Sequence, residues 1–242
     1  MPPLCKQGLR RLLRPVDNGS MDDRDDARYG VFLTPDAKTS AVVTTITSFV
    51  QAQFGLVSAR RFPPHVTLAG SLPLMGSETE LFAVVHSVVA AHPTFEVHNS
   101  GIDRLGDSVV FNVHNEVDGE PNTALVDLAV DLARDLQPLL RATSGLPADL
   151  RGRDSWRGHL SLASHELSAR ADLREEVEIF IRQLETPYPS SFQATSVTVY
   201  RLHHRTGAAD RRGPVTVLAH SSSSATVPGQ VHTATSGMTT AA

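Results

Sequence analysis

The sequence predicts an α+β fold built by internal duplication, and three observations predict it. A short pattern occurs twice, as Phe62-Pro63-Pro64-His65-Val66-Thr67-Leu68-Ala69-Gly70 and as Arg157-Gly158-His159-Leu160-Ser161-Leu162-Ala163-Ser164, both reading His, apolar, hydroxyl, Leu, Ala. Each copy is followed by apolar residues at helical spacing and then by a proline, Pro93 or Pro187. Each helix is followed in turn by a strand-like run of the same length, Phe95 to Arg104-Leu105 and Phe192 to Arg201-Leu202. Order, type and near-register repeat together, which indicates two halves related by a pseudo-twofold axis.

Residues 1–28 read as a disordered arm, basic at Lys6, Arg10, Arg11 and Arg14, then acidic at Asp22, Asp23, Asp25 and Asp26. No apolar stretch follows the basic residues, so the arm is not expected to be a secretory signal, and Met21 is an alternative start. A solvated tail or an RNA contact would both suit it. Tyr29 to Leu33 is a short strand, and Thr34-Pro35 offers an N-cap and first helical position. The helix that follows uses Val42, Val43, Ile46, Phe49, Val50 and Phe54 and ends near Gly55. Arg60 and Arg61 lead into the first motif. On a strand of period two, His65 and Thr67 share one face about 7 Å apart, while Val66 and Leu68 point into a core.

Ser77-Glu78-Thr79-Glu80 is a capping box, starting a helix on Leu81, Phe82, Val84, Val85, Val88 and Val89. After the strand run from Phe95, Val109 to His114 forms a further strand that plays the part of the first strand in the second half. Leu125, Leu128, Leu132, Leu136 and Leu139 recur at three- and four-residue steps, with Asp127, Asp131 and Asp135 outside. A polar loop with Arg151, Arg153, Trp156 and Arg157 leads into the second motif, where His159 and Ser161 again share a face. A helix is expected from Ser168 through Leu173, Val177, Phe180, Ile181 and Leu184, then strands over Phe192–Leu202 and Val215–His220. Residues 221–242 are Ser, Thr, Ala and Gly with little to bury, a disordered tail. The folded domain is expected over 29–220.

Composition narrows the function classes. The 242 residues carry a net charge of −4, which gives no global pull toward nucleic acid. One cysteine, Cys5, excludes an intrachain disulfide and any multi-cysteine metal site and fits a reducing cytoplasm. No apolar run reaches the length of a membrane span. His98, His114, His203, His204 and His220 lie at strand ends without metal-ligand spacing.

Two His-x-Thr/Ser motifs about a hundred residues apart in a duplicated strand–helix–strand frame resemble the two-histidine (2H) phosphoesterase superfamily. The resemblance spans about Tyr29 to His220. Tyr29-Gly30-Val31-Phe32-Leu33 and Phe62-Pro63-Pro64-His65-Val66-Thr67-Leu68 are most similar to its 2′,3′-cyclic phosphodiesterase and 2′-5′ RNA ligase-like groups. The implied fold is bilobal, with two antiparallel sheets lining a central cleft and helices outside. The implied chemistry is metal-free hydrolysis or transfer at a 2′,3′-cyclic phosphate or a 2′-5′ phosphodiester of a nucleotide or RNA, without a cofactor. The residues carried over as catalytic are His65, Thr67, His159 and Ser161; the family pattern allows Ser in place of Thr. One neutral and one protonated imidazole supply base and acid near neutrality, and the hydroxyls bond the non-bridging oxygens.

Five further residues are candidates for substrate contact. Arg104 and Arg201 recur in register and would reach phosphate, cap a strand end or pair with an acid. Trp156 and Tyr200 are either stacking surfaces for a base or ordinary packing, and Arg157 joins Arg60, Arg61, Arg151 and Arg153 as a basic rim. Three other readings stay open: 2′-5′ RNA ligation or cleavage, a non-catalytic binder of an RNA end or nucleotide, and a histidine-based metallohydrolase. Intact pairs at both motifs argue against the binder, and the lack of a carboxylate beside either His argues against the metal enzyme. A monomer is the favoured state.

Overall fold

Both motifs lie on strands that meet in the middle of one sheet. The computed structural model describes residues 28–141, 156–203 and 208–217. The expected arm and tail fall outside these residues, except that Arg28 opens β1, and so do Arg151, Arg153 and His220.

In chain order the first half comprises β1 (Arg28–Thr34), α1 (Ala37–Phe54), β2 (Val66–Pro73), α2 (Glu78–Ala91), β3 (Phe95–His98) and β4 (Ile102–Leu105). The second comprises β5 (Ser108–Asn112), α3 (Thr123–Leu136), β6 (His159–Ala163), the single-turn α4 (Glu166–Ala169), α5 (Arg174–Gln183), β7 (Ser191–Ala194), β8 (Ser196–His203) and β9 (Ala208–Val217). An antiparallel sheet runs β4-β5-β6-β2-β1-β8-β9, and β3 pairs with β7 in a second, two-stranded sheet. The expected α+β fold is thus formed. Its two main strand sets, β4-β5-β6 and β2-β1-β8-β9, join edge to edge through one registered pair, Val66 with Leu160.

The halves are interleaved. β4 belongs to the first half in sequence yet pairs with β5, and β8 belongs to the second yet pairs with β1. The helices cross in the same way, α1 packing against β6 and α3 against β2. One core results, with Val31, Leu33, Val66, Leu68, Leu125, Leu128, Leu160 and Leu162 all buried.

Several elements begin or end where the sequence placed them. Ser77 caps α2 with the reciprocal Glu80 bonds of a capping box, and Gly55 ends α1 at φ 71°. Others do not. Thr34 is the last residue of β1, its hydroxyl bonded to that of Thr198, and Asp36 caps α1 by accepting the Thr39 N–H at 2.7 Å. Phe49 lies off the buried stripe of α1 and is 46% exposed. Leu139 falls in a 3₁₀ turn after α3. The helix expected from Ser168 is interrupted at Arg170 (φ −124°, ψ 55°), leaving α4 and α5 separate. Each strand run after a helix divides in two, the first at Gly101, whose φ of 100° turns β3 away from β4, the second at Thr195. β9 starts seven residues before Val215. Among the described residues no helix is long and apolar enough to cross a membrane.

Candidate active site

The alternation of β2 and β6 sends Val66 and Leu160 into the core, so the residues on either side of each face the opposite, open side of the sheet. Antiparallel pairing at Val66 and Leu160 sets His65 alongside Ser161 and Thr67 alongside His159. Each imidazole therefore neighbours the hydroxyl of the other motif as well as its own.

A β-bulge follows the hydroxyl in both strands. Val31 and Phe32 face Ala69 and Thr67, and Val109 and Val110 face Ala163 and Ser161, so Leu68 and Leu162 are the extra residues. The sequence carried a signal for this: Leu-Ala after the hydroxyl breaks the alternation, and all four of these residues are buried. Bulges re-aim the side chains beside them, here in the same way twice.

Both imidazoles are held by one backbone device. His65 Nδ1 lies 2.7 Å from the Pro63 carbonyl and His159 Nδ1 lies 2.8 Å from the Arg157 carbonyl. A carbonyl only accepts, so each Nδ1 carries the hydrogen and each neutral ring keeps its lone pair on Nε2. Among the described residues neither Nε2 has a hydrogen-bond partner, nor has the hydroxyl of Thr67 or Ser161. Burial holds both imidazoles below their ordinary pKa. The carbonyl bonds oppose that shift, and the nearby His159 adds to it at His65.

The surroundings of the two rings differ. Phe32 shares the open face with Thr67, and its ring centroid is 4.4 Å from that of His65 and 5.8 Å from that of Tyr200. Gly30 makes this possible, since a Cβ there would stand 2.3 Å from the Phe32 ring. Phe62 stands edge-on to His65 at 6.0 Å. Neither Phe32 nor Gly30 was singled out from the sequence as a site residue, because their role depends on the β1–β2 register. Beside His159, Asn112 occupies the facing position, its carboxamide N–H reaching Asp103 at 3.4 Å and its oxygen accepting the His114 N–H. His114, given no role from sequence, is 2% exposed between Trp156 and Arg157, and burial followed by the Arg157 charge keeps its pKa low.

The five candidate contact residues divide. Tyr200 lies on the open face behind Phe32, and Arg157 is exposed with its guanidinium beside His114. Of the other three, Arg104 pairs with an acid and Trp156 packs in the core, each a role the sequence already allowed it. Arg104 pairs with Val109 on the helix-covered face and forms an ion pair with Glu178 of α5, so it points away from both motifs. Arg201 shares the face of Tyr29, whose hydroxyl reaches Glu78 of α2. Trp156 is only 9% exposed and packs into the core, which leaves no open ring face for a base. Among the described residues no group of three or more His, Cys, Asp or Glu side chains is arranged to hold a metal ion.

A sequence model of the 2′-5′ RNA ligase superfamily matches residues 34–206. No curated protein matches the chain. Among solved structures the chain is similar to TT0787 of Thermus thermophilus, at 14% identity and a TM-score of 0.50, over 80% of this chain and 99% of that one. A protein described as a phosphoesterase gives the same identity, score and coverage. LigT of E. coli, complexed with NADP+, aligns at 15% identity and a TM-score of 0.48 over 81% of this chain and 99% of its own. At 14% identity the likeness to the first two is one of fold.

Proposed function

The chain belongs to the 2′-5′ RNA ligase superfamily, and from that premise we propose that it is a phosphoesterase opening 2′,3′-cyclic phosphates of nucleotides or RNA ends. The carrying observation is the pair of imidazoles fixed alike through Nδ1, each presenting Nε2 to the same open face beside a hydroxyl. One Nε2 takes a proton from water as the oxygen attacks phosphorus. The other, protonated, gives its proton to the ribose oxygen as the P–O bond of the ring breaks. Thr67 and Ser161 donate hydrogen bonds to the non-bridging oxygens, where charge grows. The proton counts balance, since one imidazole gains what the other loses and solvent exchange restores both. Both rings favour the neutral form in the free protein, so the phosphate's negative charge is what holds one of them protonated.

The family's description favours a second reading, in which a ribose hydroxyl replaces water and a 2′-5′ linkage is made or cut. The same four residues serve it. We take 29–220 as the unit that carries the reaction, acting as a monomer in the cytoplasm, on cysteine usage.

The test is hydrolysis of 2′,3′-cyclic AMP in excess chelator by the intact protein, His65→Ala and His159→Ala. Turnover that survives chelation and falls about 10³-fold or more in each variant is expected, by analogy with loss of a general acid or base. Turnover unchanged in either variant sinks the site assignment. None by the intact protein turns the reading toward a larger RNA or a binder.

A further inference from the structure

Trp156 is the chain's one tryptophan and stands three residues before His159, where Phe62 stands before His65. The two rings are used differently. Phe62 sits against its own motif's histidine. Trp156 packs edge-on against the buried His114 imidazole, ring centroids 5.7 Å apart, and its Nε1–H donates to the Thr67 carbonyl at 3.2 Å. That bond runs from the segment entering one motif to the hydroxyl-bearing residue of the other.

Among the described residues β2 and β6 register through a single pair at this point. The neighbours of Trp156 are committed as well. The Arg157 carbonyl accepts the His159 Nδ1–H, and the Gly158 N–H points at His114 Nδ1 from 3.4 Å. A Cβ on Gly158 would lie 3.0 Å from Leu125 and 3.3 Å from Trp156, so this segment packs without slack. Two consecutive residues, Trp156 and Arg157, thus hold the backbone of one motif and the imidazole of the other.

We propose that Trp156 is a positioning residue whose indole N–H, acting through the Thr67 carbonyl, sets the distance between the His65–Thr67 pair and the His159–Ser161 pair. The inference rests on the two-histidine reading, because only a reaction that uses both pairs at once depends on that distance. A phenyl ring, as at Phe62, fills the space but has no hydrogen to donate.

Two replacements test it. Trp156→Phe removes the donor. Growth of a tryptophan auxotroph on β-(3-benzothienyl)alanine puts sulfur in place of the indole N–H, and with one tryptophan in the chain it changes a single group. The readouts are NMR titration of the His65 and His159 imidazoles, thermal unfolding, and turnover of 2′,3′-cyclic AMP. We expect both proteins to fold, the His65 midpoint to rise as the second imidazole recedes and water enters, and kcat to fall about tenfold with KM within about twofold, a misplacement effect. Unchanged midpoints for both imidazoles in both replacements overturn the inference, whatever the turnover. If the intact protein has no turnover while the midpoints shift, the positioning role is upheld and the cyclic-phosphate reading fails.

Discussion

Around His65 the walls are aromatic: Phe32 and Phe62 flank the imidazole, with Tyr200 behind Phe32. Around His159 they are polar, formed by Asn112, Asp103 and the Arg157 guanidinium beside buried His114. Each imidazole is nonetheless held in the same way, by a carbonyl two residues earlier, and the same bulge comes after each hydroxyl. The repeated features belong to the backbone of the motif strands. The divergent ones sit partly on neighbouring strands, where Phe32 in β1 and Val110 in β5 face the two hydroxyl residues, and partly at Phe62 and Arg157 just before the motifs. A duplicated frame can therefore keep two reacting groups equivalent in geometry while giving the site a distinct apolar end and a distinct polar end.

The sharpest way to break this comparison is to crowd one glycine in each half. In Gly30→Ala the new methyl would overlap the Phe32 ring, which is 5% exposed and rests on His65, so the ring must leave its place and the imidazole with it. A loss of about 10²-fold in kcat/KM is expected, with about 1–3 kcal/mol of stability, from misplacement and overpacking. Gly158→Ala brings its methyl to 3.0 Å from the end of the Leu125 side chain and 3.3 Å from the Trp156 ring, tight but short of the overlap at Gly30, and should cost about tenfold less in rate. Steady-state kinetics and chemical denaturation of both variants decide it. Equal losses would mean that the aromatic support of His65 is not what sets its position.

A pH profile sharpens what the halves share. Both imidazoles are held below the ordinary value of 6.5, chiefly by burial. The form with one proton between them then peaks below 6.5, so kcat/KM for the free protein should be bell-shaped with its maximum on the acid side of that value. The same shifts set the sign for stability. Below 6.5 the unfolded chain binds more protons at these sites than the folded one, so stability is full above 6.5 and declines as pH falls through the lowered values. Buried His114 contributes in the same direction. Melting temperature should fall from about pH 7 to about pH 5, and a flat profile would contradict the burial of these rings.

The smallest effect is expected at Arg104. Its side chain is half exposed, and its partner Glu178, which Arg182 also holds, lies on the far face of the sheet. Arg104→Ala should keep kcat/KM within about twofold and cost under about 1 kcal/mol, as exposed pairs do. A larger kinetic loss would return it to the site.

These contrasts also show what the chain's order of residues could reveal. The motif strands, the Ser77–Glu80 cap, the α3 leucine stripe and the duplication were legible because each is written within a few residues or repeated. The Leu-Ala pairs marking the bulges were present but read as ordinary alternation. The helix cap at Asp36 rather than Thr34 depends on β1 running through Thr34 to meet Thr198. Phe32 over Gly30, Trp156 reaching Thr67, and Arg104 turning to Glu178 each depend on packing against residues from other strands and helices. No local pattern encodes such partners.

The crossing of β8 into the first half bears on how the protein is made. β1 has one neighbour, β2, within easy reach along the chain, but its other edge waits for Ser196–His203. At about 5–20 residues per second a ribosome takes roughly ten to thirty seconds to travel from Thr34 to Ser196, and through that interval the strand keeps an open row of backbone donors and acceptors. β1 is therefore translated early and finished late, and its unpaired edge is a natural point of contact for chaperones.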